Sequence, residues 1–136
     1  MRQRVVAYVT RRRGGRKELL VFDQLDDPGA LTQVPAGRLD AGESLEDGLR
    51  RELLEEAGLG ELRIVRELES EAVGHGAAYD NRLFEVAAPE GVPDAWKHVV
   101  TGDGDDAGMV FVYRWVPLEE AMLWGRRESV LEELAE

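Results

Sequence analysis

The chain contains no cysteine, which excludes a disulfide framework, a thiolate zinc site and a cysteine nucleophile together. It also lacks any apolar run approaching 18 residues, so no membrane-spanning helix is expected. The first residues, MRQRVVAYVTRRRGG, hold an apolar stretch broken by charge and no small-residue cleavage site, unlike a secretory signal. These absences point to the cytoplasm. No repeat or low-complexity tract interrupts the 136 residues, a length that suits a single domain, 1–136, with one core.

Positive charge is the next shortage. Seventeen Lys and Arg face 28 Asp and Glu, for a formal charge of −11. This disfavours nucleic acid as a partner, because backbone phosphates are gathered by an excess of cations. The cations present crowd at the start: Arg2, Arg4, Arg11, Arg12, Arg13, Arg16 and Lys17 all precede the first acid, Glu18. A chain this acidic that handles an anionic substrate needs a cation supplied from outside.

Arg4 to Thr10 and Glu18 to Asp23 read as strands joined in a hairpin at Gly14-Gly15, with a basic tip. Asp26 to Ala30 is turn chemistry, and the strand-like LTQVP that follows should stop at Pro35. Ser44 opens a helix. S-L-E-D has the spacing of a capping box, and Leu45, Leu49 and Leu53 form an apolar stripe before Gly58 stops it. Gly48 inside that helix costs about 1 kcal/mol relative to alanine, which suggests a close approach to the sheet. Strands are expected at Leu62 to Leu68, Asn81 to Ala87 and Met109 to Val116, and helices at Leu118 to Trp124 and Glu128 to Leu134. This order predicts an α/β fold, an α/β/α sandwich around a mixed β-sheet.

The chemistry concentrates between Gly37 and Leu59, GRLDAGESLEDGLRRELLEEAGL. At helical spacing Glu52, Glu55 and Glu56 fall within about 100° of one another. Like charges so placed repel by a few tenths of a kcal/mol per pair, so a cation is expected among them. All-oxygen ligands select hard ions such as Mg²⁺ or Mn²⁺, and Mg²⁺ binds through one or two carboxylates plus substrate phosphates. Taken alone, three glutamates on a helix more often form a solvated face than a metal site.

The surrounding pattern decides between the two. Gly37-x5-Glu43-x7-Arg51-Glu52-Leu53-x-Glu55-Glu56-x-Gly58-Leu59 resembles the Nudix box of the Nudix hydrolase family at every fixed position. Chance supplies such a match in about one of 10⁵ to 10⁶ chains of this length. Outside the box the resemblance is one of layout. It implies hydrolysis of a small nucleoside diphosphate derivative, of the nucleotide or nucleotide-sugar class. Water attacks a phosphorus, and Mg²⁺ or Mn²⁺ activates the water and offsets the developing charge. Carried onto this chain, Glu52 and Glu56 would be the principal metal ligands and Glu55 a further one, all three catalytic. A carbonyl at Ala36 or Gly37 would complete the shell. Glu43 and Arg51 would form an ion pair that supports the box loop. Gly37 is expected to sit in a tight loop whose backbone angles suit glycine.

The resemblance leaves the base open between a box glutamate and a later acid: Asp103, Asp105 or Asp106 in TGDGDDAG, or Glu119 or Glu120. That loop is no EF-hand, since Ala107 and Arg114 stand where acids would be needed. The substrate is open too. Family members specific for ADP-ribose often carry a proline about 15 residues past the box, where this chain has Gly74. The tyrosine of those for dinucleoside polyphosphates falls slightly later, and the nearest here, Tyr79, is 20 residues past Leu59. Oligomeric state is unspecified, a homodimer included. His75 is a further candidate for general base or phosphate contact, Tyr79, Trp96 and His98 for base stacking, and the Arg11-Arg12-Arg13 tip for phosphate contact, each with a plainer reading as loop, sheet edge or solvated hairpin. Two rival functions remain. A nucleotide sensor without turnover has no need of three metal-binding glutamates, and an RNA 5′-end pyrophosphohydrolase is disfavoured by the acidity.

Overall fold

The computed structural model of the chain describes residues 2–69, 79–121 and 128–136. Its first strand, β1 (Arg2–Arg13), is apolar on both faces, with Val5, Ala7 and Val9 on one and Val6 and Tyr8 on the other. A strand of that kind belongs in the middle of a sheet covered on both sides. Gly14 and Gly15 turn it into β2 (Arg16–Gln24), its antiparallel partner. There follow β3 (Ala36–Arg38), α1 (Leu45–Ala57), β4 (Arg63–Leu68), β5 (Tyr79–Ala87), β6 (Ala95–Val99), β7 (Val110–Pro117), α2 (Leu118–Ala121) and α3 (Glu128–Ala135).

The strands form one sheet in the order β4-β5-β1-β2-β7-β6, with β3 paired to β1 outside that path. β1 and β5 run parallel and the other pairs antiparallel, so the sheet is mixed as the sequence predicts. One face carries α1, whose Leu49 and Leu53 pack on Val5, Val9, Leu20, Phe22 and Tyr113. The opposite face carries α2 and α3, with Leu118, Leu131 and Leu134 against Tyr8, Leu19, Val21 and Leu83. Each buried leucine contributes about 2 kcal/mol of transfer free energy. The expected α/β/α sandwich is the fold.

Three local expectations change. Before Pro35 only Gln33 bridges to Phe22, and the strand β3 begins after the proline. Pro35 has no N–H to donate, but its carbonyl accepts from Ala7, and the pairing to β1 runs on through residues 36–38. The edge strand β6 was not anticipated, because AWKHV alternates only weakly in polarity. The helix expected over Leu118 to Trp124 is described only as α2, its later residues lying outside the described ones. Among the described residues no helix is long and apolar enough to cross a membrane.

Candidate active site

Both ends of α1 are built by local chemistry. Ser44 is the N-cap, its Oγ accepting the Asp47 amide at 3.1 Å. The loop before it is closed by Glu43, whose Oε1 accepts the Asp40 amide at 3.0 Å. At the other end Gly58 takes a left-handed φ of 73°, where a side chain would be strained, and its amide bonds the Leu54 carbonyl. A helix end leaves its last carbonyls without intrahelical partners, and here the sheet supplies them. The Glu55 carbonyl accepts from the Thr101 amide at 3.0 Å and from His98 Nε2 at 2.8 Å. The Glu56 carbonyl accepts from the Tyr113 hydroxyl at 2.9 Å, and the Ala57 carbonyl from Trp96 Nε1 at 3.0 Å.

Strands β6 and β7 therefore grip the end of the helix that carries the box glutamates. Trp96 and His98, considered above for base stacking, are turned to this capping instead. Tyr113 is fully buried, and burial followed by the nearby Glu56 charge pushes its phenol well above the ordinary range.

The acidic face of α1 opens on a cavity of about 940 Å³ at the edge of β3. Glu52 and Glu56 are only 9% and 5% exposed, which removes the solvated-face reading for these two. Arg51 sits among the carboxylates. Its Nε and Nη2 donate to the two oxygens of Glu43 at 2.8 and 2.9 Å, Nη1 donates to Glu52 at 3.0 Å and Glu55 at 3.1 Å, and Nη2 also reaches the Arg38 carbonyl at 3.0 Å. The Arg51 hydrogen bond holds the Glu43 carboxyl below its usual range despite partial burial. Among the described residues no cation pairs with Glu56. Burial, then the hydrogen bond to Glu52 and the Glu52 charge, push its carboxyl up to about 10. Burial, only partly opposed by Arg51, also raises Glu55.

Gly37 is required for a different reason from the one expected. It lies in β3 opposite Val5, without a positive φ, and a Cβ there would collide with the Glu52 carboxylate. Its place is a space left for the acid, not a tight loop. Gly48 likewise makes room for Leu39, so the close approach is to the loop after β3 rather than to the sheet.

Of the later acids, Asp103, Asp105 and Asp106 line the same cavity. Asp103 adds negative charge against Glu55 and Asp106 against Glu56, while Arg38 lies 3.6 Å from Asp105. Glu119 is brought instead to Arg16, and α2 packs on the face opposite α1, so Glu119 and Glu120 stand away from the box. The hairpin tip is also elsewhere. Arg11 pairs with Glu18 and Asp94 and lies 4.4 Å over the Trp115 ring, and Arg13 pairs with Asp94. His75 and the side chain of Tyr79 lie outside the described residues. The sequence reading missed, as site residues, Arg2, Arg38, Gln24 and Gln33, which line the same cavity. Only the two arginines carried a signal, as cations in a cation-poor chain.

Among the described residues no three acids or histidines converge into a ready-made metal cage. The donors nevertheless fit Mg²⁺ or Mn²⁺, which bind through one or two carboxylates completed by phosphate oxygens. The buried, hydrogen-bonded pair Glu52 and Glu56 supplies two such carboxylates.

A sequence model of the NUDIX domain matches residues 1–134. No curated protein sequence matches the chain. Solved structures resemble it in fold. The C. elegans Ap4A hydrolase aligns with TM-score 0.64 at 20% identity, over 99% of this chain and 94% of its own. The E. coli dihydroneopterin triphosphate pyrophosphohydrolase aligns with TM-score 0.58 at 18% identity, over 96% and 92%. The M. smegmatis Nudix hydrolase RenU aligns with TM-score 0.65 at 18% identity, over 98% and 85%.

Proposed function

The chain belongs to the NUDIX domain family, and from that premise we propose that it hydrolyses the diphosphate linkage of a small nucleoside diphosphate derivative with Mg²⁺ or Mn²⁺. The observation that carries this reading is the pair of buried carboxylates, Glu52 and Glu56, on a helix face that lines an open cavity. Uncompensated burial of acids is costly unless a cation or a proton relieves it. When bound, a divalent ion supplies the charge that draws the diphosphate in and makes the attacking water more acidic.

In this reading Glu52 and Glu56 hold the ion, with a carbonyl of Ala36 or Gly37 beside them. Glu55, less buried and raised in pKa, takes the proton from the attacking water. Water adds across the P–O–P bridge: its oxygen bonds one phosphorus, the bridging oxygen leaves with the other, and two phosphorylated products separate. Arg51 fixes the carboxylates in position and Glu43 fixes Arg51. Arg2 and Arg38 contact the phosphates. One domain, 1–136, working as a cytoplasmic enzyme on free nucleotides completes the proposal.

The test is turnover with Mg²⁺ and with Mn²⁺ on ADP-ribose, nucleotide sugars, Ap4A, dihydroneopterin triphosphate, nucleoside triphosphates and triphosphorylated RNA. One small-molecule substrate preferred over the rest is expected. Silence across the panel with nucleotide binding still detectable by calorimetry would replace the enzyme by a sensor.

A further inference from the structure

A second hollow, of about 600 Å³, opens at the far end of β1. The strand register places Arg12, Lys17, Arg63 and Arg66 on the same face as Thr10, Glu85 and Ala87, since Arg12 pairs with Lys17, Thr10 and Arg63 with Ala87, and Arg66 with Glu85. This is the face that carries α3, with α1 and its glutamates on the other side of the sheet. The two cavities differ in sign. The hollow is lined by five basic and two acidic residues, whereas the box cavity is lined by four basic and eight acidic residues.

One of the two acids in the hollow is already committed. Glu85, 4% exposed, accepts from Thr10 Oγ1 at 3.0 Å, from Lys17 Nζ at 2.7 Å and from Arg66 Nε at 3.0 Å. Lys17 and Arg66 are completed by carbonyls at the end of α3, Leu134 at 2.6 Å and Glu133 at 2.7 Å. The arginines around the turn are paired as well: Arg11 with Glu18, Arg13 with Asp94, Arg16 with Glu119. Arg12 and Arg63 are different. Both are exposed, both line the hollow, and neither side chain has a hydrogen bond or ion pair among the described residues. In a chain with 28 acids to 17 bases, two guanidiniums without an ion-pair partner among the described residues line one hollow beside a fixed Lys17, with Glu90 as its second acid.

We propose that this hollow binds a small phosphate-bearing anion between Arg12 and Arg63, independently of any metal and separately from the box. Arg63 is level with Thr10 two strands away, and Arg12 stands two residues further along β1, so the two arginines are about 12 Å apart, a gap that two extended side chains close around one phosphate or diphosphate group. Guanidinium forks match phosphate oxygens in pairs, which favours such a ligand over a simple monovalent anion. The loop 88–92 walls one side.

The test is NMR titration of the full chain in EDTA with inorganic pyrophosphate, with AMP and with chloride at matched ionic strength. Saturable shifts at the amides of Arg12, Arg63, Ala87, Ala88, Glu90, Gly91 and Val92 are expected with pyrophosphate and absent with chloride. A response to AMP of similar size would assign recognition to the phosphate group itself, and none would assign it to the free inorganic anion. The double variant R12Q/R63Q, which touches only exposed side chains, should weaken binding at least about tenfold while leaving turnover at the box unchanged. Glu52→Gln should leave pyrophosphate binding at the hollow intact. Non-saturable shifts, shifts confined to the box cavity, or unaltered affinity in the double variant would each overturn the proposal.

Discussion

The clearest physical test of the box is Glu56→Gln in the absence of metal. Burial and Glu52 hold the Glu56 carboxyl near 10 in the fold, against an ordinary value of 4.5. Between those values the unfolded chain has released the proton and the folded chain keeps it, so stability falls as pH rises. The slope is about 1.36 kcal/mol per pH unit for one proton. At pH 7, about 2.5 units above the ordinary value, the accumulated loss is about 3 kcal/mol. A glutamine cannot ionise in either state, yet its amide can donate to Glu52 as the protonated carboxyl does, and its oxygen can accept from the Ala36 amide 3.4 Å away. The variant should therefore match the wild type at pH 4 and exceed it by about 3 kcal/mol at pH 7, or about 10 °C in Tm for a domain of this size. Urea unfolding in EDTA at pH 4, 5.5 and 7 reads this directly. The stabilisation that Mg²⁺ gives the wild type should vanish in the variant. An offset independent of pH, or a glutamine variant less stable at pH 7, would refute the reasoning.

The same proton should leave when metal binds, so calorimetry near pH 7.5 in buffers of different ionisation enthalpy should show release of about one proton per ion, and metal affinity should rise with pH. Glu52→Gln and Glu56→Gln should each lower kcat by about 10²-fold or more, roughly 3 kcal/mol of transition-state stabilisation, with Glu46→Gln nearly silent in the same steady-state assay. Tyr113→Phe deprives the Glu56 carbonyl of its buried donor and should cost about 1–2 kcal/mol in denaturant unfolding. Glu85 is a charge network of opposite sign: burial raises its carboxyl, but Lys17, Arg66 and Thr10 outweigh that and lower it. Its contribution is therefore present above the ordinary 4.5 and lost as pH falls through the folded value. Glu85→Gln should destabilise by about 3 kcal/mol at pH 7, with a smaller penalty under acid denaturation.

What the sequence determined by itself was local or periodic. Ser44 and Gly58 bounded α1 because a cap and a left-handed stop act within a few residues. The stripe of Leu45, Leu49 and Leu53 named the buried side, and the i, i+3, i+4 spacing of Glu52, Glu55 and Glu56 put three acids on one side of a helix whatever surrounds it. The fixed residues of the box, from Gly37 to Leu59, carried the resemblance to the family, and the order of strands before and after one central helix, with helices at the end, carried the layered fold.

What only the tertiary structure decided depends on residues far apart in the chain. Gly37 is needed because Glu52 fills the space of its missing side chain across a strand-to-helix contact. Trp96, His98 and Tyr113 became helix caps because β6 and β7 run beneath the end of α1, a placement no local pattern encodes. Of the later acids, Asp103, Asp105 and Asp106 reach the cavity while Glu119 and Glu120 fall on the opposite face. Arg12 and Arg63, 51 positions apart in the chain, share a hollow only because β1, β5 and β4 lie side by side. The physical reason is range. Caps and periodicity are set by neighbours in sequence, whereas burial, charge compensation and shared cavities are set by neighbours in space, which exist only once the sheet has formed.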